Sequence, residues 1–124
     1  MTKPIKTPSA AHPITIEPST AHVVVRVGDR VVADSTASLS LREADYPPIP
    51  YIPLADVDQS LLKPSATTTY CPFKGDASYY SISTPDGEVT DAIWTYESPY
   101  PAVAEIAGHV AFYPDRVQLS STDA

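Results

Sequence analysis

Two reactive side chains stand three residues apart in Cys71-Pro72-Phe73-Lys74-Gly75, directly ahead of the tyrosine-rich run Ala77-Ser78-Tyr79-Tyr80. A cation beside a cysteine favours the thiolate, so this spacing could supply a nucleophile or a redox group. A thiol nucleophile ordinarily works with a histidine base, and the chain holds only His12, His22 and His109. The first lies in an N-terminal leader and the other two on predicted strands. The structural reading of Cys71 is therefore a buried, inert thiol. Cys71, His22, His109 and a carboxylate could together hold a metal, but no ligand-pair spacing supports that, and no metal or other cofactor is expected. The Lys-Gly pair is not a phosphate loop either. Such a loop needs a glycine-rich run ending in Gly-Lys-Ser/Thr at the start of a helix, whereas here no glycine precedes Lys74 and a strand follows. Gly75 supplies a turn position of positive φ. Lys74 reads as a solvated surface lysine or as a charge at a pocket mouth.

The aromatic residues point to binding chemistry. On residues 88–96 alternation puts Trp94 and Tyr96 on one face with Ala92, and Val89, Ile93 and Thr95 on the other. Tyr79 and Tyr80, on the preceding strand, face opposite ways, so the hairpin register decides which of them joins Trp94. Tyr51, among prolines, completes an aromatic, proline-rimmed cluster. Such a cluster is either hydrophobic core or an apolar pocket with phenol and indole donors, suited to a planar or cationic small ligand.

The elements that must position these groups are strands. Fourteen prolines argue against long helices and against uninterrupted central strands. Two β-branched runs flank Gly28-Asp29 in HVVVRVGDRVVADS and predict a hairpin. Residues 36–43 alternate as a strand, whereas 45–59, with four prolines, must be extended or turning. One helical turn is expected after Asp58. Residues 67–71 and 77–84 flank the Lys74-Gly75 turn, and Pro85-Asp86-Gly87 leads into the strand at 88–96. A short helix is expected near residues 99–107, with Val103 and Ile106 inward and Gly108 as its stop. His109–Tyr113 and Arg116–Ser120 are expected to form a last hairpin at Pro114-Asp115. The expectation is an all-β, antiparallel two-sheet domain of about eight short strands over residues 14–124, behind a flexible leader at 1–13.

Composition narrows the function classes. With 124 residues, 43% of them apolar, the chain can bury a core without staples. A single cysteine rules out an intrachain disulfide and a four-thiolate zinc site. No apolar run has the length of a signal peptide or membrane span, so a soluble, cytoplasmic protein is expected, with no membrane partner. A net charge of −7 with no Lys/Arg cluster disfavours nucleic acid.

The order Glu43, Tyr51-Ile52-Pro53, Asp56-Val57, Cys71-Pro72-Phe73-Lys74-Gly75, Ala77-Ser78-Tyr79, Trp94-x-Tyr96, Pro99 and Ile106-x-Gly108-His109-Val110-Ala111-Phe112-Tyr113 resembles the DUF427 family over nearly all of residues 15–120. The resemblance implies a small β-tent-like fold, in which two antiparallel sheets meet at a steep angle. Several β-tent proteins bind zinc through paired CxxC knuckles, which a chain with only Cys71 does not carry. The family also bears a nucleotidyltransferase-like label. The residues fit it badly, because Asp56-Val57-Asp58 is the only D-x-D and lies in a proline-bounded loop with no glycine-serine pair before it. The resemblance also marks Glu43 and Lys74, charges that turn geometry does not demand, as members of a site wall. The candidate ligand-binding residues are thus Glu43, Tyr51, Cys71, Lys74, Tyr79, Tyr80, Trp94 and Tyr96, with no catalytic residue assigned. The expected function is binding of a small molecule, with minor enzymatic activity left open. The alternative is an interaction module that dimerises through an edge strand such as 115–120.

Overall fold

Ten strands in two antiparallel sheets organise the computed structural model, which describes residues 5–122. They are β1 (Ile14–Pro18), β2 (His22–Val27), β3 (Arg30–Ser35), β4 (Leu39–Glu43), β5 (Ile49–Pro53), β6 (Leu62–Cys71), β7 (Gly75–Thr84), β8 (Gly87–Thr95), β9 (His109–Phe112) and β10 (Gln118–Thr122). The large sheet runs β1-β4-β5-β9-β8-β7-β6 and the small one β10-β2-β3. The all-β, two-sheet expectation holds, with ten strands where about eight were expected. The two additions are β1 and β5. Pro50 and Pro53 concealed β5, yet it sits inside the large sheet between β4 and β9, paired to each over only a few residues. β4 pairs only with Ile49–Tyr51 and β9 only with Ile52–Pro53, so each proline lies where the strand is paired on one side and behaves as at an edge.

The hairpins β2–β3 and β7–β8 form where the β-branched runs and turn residues placed them. The expected last hairpin does not form. β9 is already paired on both sides, to β5 and to β8, so no edge is left for the following segment. The chain does turn at Pro114-Asp115, where the Arg116 N–H reaches the Tyr113 carbonyl at 2.9 Å, and β10 then joins β2 as an edge of the small sheet. The expected helix at 99–107 is replaced by 3₁₀ turns over Pro101–Ile106, broken at Val103 (φ −128°, ψ 27°). A segment this short, opening on Ser-Pro-Tyr-Pro, gains too few α-type hydrogen bonds to offset helix nucleation. It nevertheless buries Val103 and Ile106 as expected.

Strand alternation gives the large sheet two different buried faces. Ile52, Ile93 and Val110 point to one side and meet Val23, Val25 and Val32 of the small sheet in an almost wholly aliphatic cluster. Tyr51, Trp94 and Ala111, their chain neighbours, point to the other side and pack with Leu41, Tyr96, Val103 and Ile106. The described part of the leader lies against this domain: the Lys6 N–H bonds the Pro72 carbonyl at 2.9 Å, and Ser9 and His12 exchange backbone hydrogen bonds. Residues 1–4, the remainder of the leader, lie outside the described residues. No described helix is long and apolar enough to cross a membrane.

Candidate functional site

The Cys-Pro-Phe-Lys-Gly segment is the turn between β6 and β7, closed by the Lys74 N–H on the Cys71 carbonyl at 3.2 Å. Gly75 leaves the turn at φ +109°, where a side chain would be strained and where a Cβ would meet the Ser98 carbonyl at 3.5 Å. The Lys74 carbonyl accepts the Tyr100 N–H at 3.0 Å, so the turn is clamped beneath the 98–100 loop. This clamp aims Lys74 inward rather than into solvent, and its side chain is only 10% exposed. The surface reading of Lys74 is thereby corrected: a buried ammonium needs a partner, and Glu43 on β4 supplies one.

Lys74 Nζ lies 2.5 Å from Glu43 Oε1, and His12 Nε2 lies 2.8 Å from Glu43 Oε2. The His12 ring stacks on Phe73 of the same turn, with centroids 4.2 Å apart. Lys74 Nζ also lies 3.9 Å from Cys71 Sγ and 5.9 Å from the centre of the Tyr96 ring. Burial works against the charge on Glu43, but the hydrogen bonds from Lys74 and His12 outweigh it and hold the carboxyl below its ordinary range. Cys71, partly buried, has a cation nearby, and among the described residues no histidine is hydrogen-bonded to its sulfur. His12 is engaged by Glu43, His22 Nε2 by Asp34 at 2.6 Å, and His109 Nδ1 donates to the Ala107 carbonyl. Among the described residues, no group of three or more His, Cys, Asp or Glu is placed to hold a metal ion.

The second half of the site is aromatic. Trp94 Nε1 donates to Tyr51 Oη at 3.1 Å, with the rings edge to face at 88°. The Tyr113 ring lies 4.5 Å from Trp94, and its hydroxyl is 3.3 Å from that of Tyr79, which in turn bonds Thr69 at 3.0 Å. The register answers which tyrosine joins Trp94. Tyr79 pairs with Trp94, and Tyr80 pairs with Ile93 and packs on the aliphatic side. Tyr80 lines a separate hollow of about 240 Å³ with Leu54 and Val110, and so stands apart from the other candidates. Burial, only partly offset by the hydrogen bond from Trp94, pushes the Tyr51 hydroxyl up to about 12, and burial raises Tyr96 further. Both are therefore neutral at physiological pH, and the Tyr51 hydroxyl serves as acceptor for the indole. Tyr113 was missed from the sequence. Its odd-numbered alternation with Ala111 places it on the Trp94 side, and that was the signal available.

Beside these two halves opens a groove of about 430 Å³. Trp94, Leu41, Ile49, Phe112 and Leu119 form its apolar walls, and prolines of the 47–50 segment its rim. Glu43 is the one charged residue in the lining. Tyr46, 67% exposed, stands at the edge. Of the candidate residues, Glu43 and Trp94 reach the groove. Lys74 and Tyr51 stand one layer behind, each holding one of those two by a hydrogen bond. Tyr79 is linked to Trp94 through Tyr113, and Cys71 and Tyr96 flank Lys74.

No curated protein matches the sequence. Residues 15–123, nearly the whole chain, match the family described as Domain of unknown function (DUF427), and with the fold and the Glu43–Lys74 and Trp94 clusters in place the chain belongs to that family.

Proposed function

We propose that the protein is a small-molecule-binding domain whose ligand enters the groove between Trp94 and Glu43. The observation that carries this reading is the two-layer construction. An indole and a carboxylate face one apolar groove of about 430 Å³, within the usual size of ligand sites, and each is pinned from behind by a buried partner. A core needs no such arrangement, since aliphatic packing suffices on the opposite face of the same sheet. The geometry favours binding over a reaction, because the thiol has a cation beside it but, among the described residues, no histidine hydrogen-bonded to it. The acidity of the chain and the absence of a basic cluster argue for a small ligand rather than nucleic acid.

A thermal-shift screen of nucleotides, cofactors and aromatic metabolites tests this. A ligand at about a hundred times its Kd raises stability by roughly 2.7 kcal/mol. Trp94→Phe trims the ring and leaves the buried Tyr51 hydroxyl without its indole donor, so it should cost about 1–3 kcal/mol of the protein's own stability and lose most of the ligand shift. The reading is sunk if no compound stabilises the protein and Trp94 emission is blue-shifted and beyond the reach of acrylamide.

A further inference from the structure

We propose that the groove selects a flat aromatic molecule bearing an N–H or O–H donor and no negative charge. This rests on the groove being the ligand site. The observation is a shortage of donors. Four of the eleven lining residues are prolines (Pro47, Pro48, Pro50 and Pro114), which contribute no backbone N–H. The Tyr46 N–H is spent on the Glu43 carbonyl at 3.0 Å, and the Trp94 indole N–H on Tyr51 Oη at 3.1 Å, which leaves the exposed Tyr46 hydroxyl at the rim as the remaining side-chain donor of the lining. Leu41, Ile49 and Phe112 lie on strands inside the large sheet, whereas Leu119 lies on the edge strand β10, paired to β2 alone.

The acceptor side is the reverse. Glu43 lines the groove as a carboxylate, and each of its oxygens already accepts one hydrogen bond, Oε1 from Lys74 and Oε2 from His12. A carboxylate has about four acceptor positions, so capacity remains for a donor arriving from the groove. A ligand carboxylate or phosphate placed there would face Glu43 with few donors in reach and would lose its hydration uncompensated. Because Lys74 already balances the charge on Glu43, a full positive charge on the ligand adds little, and an uncharged donor suffices. Flat shape follows from the walls, where Trp94 and the proline rings offer faces for stacking.

Three probes that share the indole ring test the proposal on the full chain by amide and indole N–H correlation spectra. Indole carries the donor, 1-methylindole has it blocked, and indole-3-carboxylate adds the excluded charge. The expected result is saturable shifts of the Trp94 indole N–H and of the Leu41 and Ile49 amides with indole. 1-Methylindole should bind about tenfold more weakly, as loss of a hydrogen bond to a charged acceptor implies, and indole-3-carboxylate should give no saturable shift. Equal binding of indole and 1-methylindole overturns the donor requirement while leaving the groove as a ligand site. Tightest binding by the carboxylate overturns the charge selection. If none of the three moves the groove signals, the groove itself falls as a ligand site, and the proposed function with it.

Discussion

The two faces of the seven-stranded sheet are both buried, yet they are closed by different means. On the side of the small sheet, Val25, Ile52, Ile82 and Ile93 are sealed among other aliphatic residues. Across the sheet, Tyr51, Trp94, Tyr96 and Tyr113 pack through directed contacts, with the Glu43–Lys74 pair at their margin. Non-directional packing needs only volume and shape. Hydrogen-bonded aromatics and a buried ion pair need fixed geometry, and a domain of this size could have closed that face with aliphatic residues instead. The difference teaches that one face carries the stability and the other carries orientation at a cost in stability.

The largest effect expected from breaking this contrast is on the aliphatic side. Ile93→Ala removes a fully buried side chain and should cost about 4 kcal/mol, read from urea unfolding. The variant that remains folded should bind groove probes as the parent does. A change in binding affinity as large as the change in stability would mean that the two faces are not separable.

An intermediate effect is expected from Lys74→Met. Removing the ammonium strands Glu43 in a mostly buried position and should cost about 3 kcal/mol. Pairing it with Glu43→Leu should recover most of that, because a buried ion pair is often replaceable by apolar groups of similar volume. The double variant should therefore be stable but indifferent to the donor on a groove ligand. Additive losses in the double variant would show that the pair is not the unit described.

The smallest effect is on acid stability. The folded state holds the Glu43 carboxyl below 4.5, so as pH falls the unfolded chain takes up that proton first. The stabilisation is present above that value and is lost as pH drops through the lower folded one. Urea midpoints measured from pH 6 to pH 3 should fall less steeply for the Lys74→Met, Glu43→Leu variant than for the parent. An identical slope would assign the acid sensitivity to other carboxylates.

Much of the fold could be read locally. Gly28-Asp29 and Pro85-Asp86-Gly87 between β-branched runs are short-range signals, and the hairpins they imply are present. What could not be read depended on partners distant in sequence. The fate of the segment after Pro114 was set by β9 having both edges occupied, which the segment's own alternation does not encode. The choice of Tyr79 over Tyr80 depended on a shift in the β7–β8 register between Tyr80 and Ile82, opposite the stretch where Asp91 sits at φ +50°. The burial of Lys74 depended on Glu43, 31 residues earlier. A lysine after a turn residue gives no local sign that a carboxylate waits for it. Trp94 and Glu43 were legible as candidates, the first by alternation and the second by the family resemblance, but the groove that both line draws its walls from five strands.

The pairing of β10 with β2 places Ser120 opposite Val24, so the small sheet is closed by segments 96 residues apart. The β6–β7–β8 meander needs only neighbours in the chain, and contacts of this local kind form early, whereas closing so long a loop costs entropy that only late, cooperative packing repays. The small sheet is therefore expected to be completed last, which quenched hydrogen exchange during refolding would check through late protection of the β10 amides. Leu119 on β10 is one wall of the groove, so the pocket comes into being only with that final strand. On the binding function proposed above, a half-folded chain would have the aromatic platform but no complete groove, and occupancy of the groove would report finished folding.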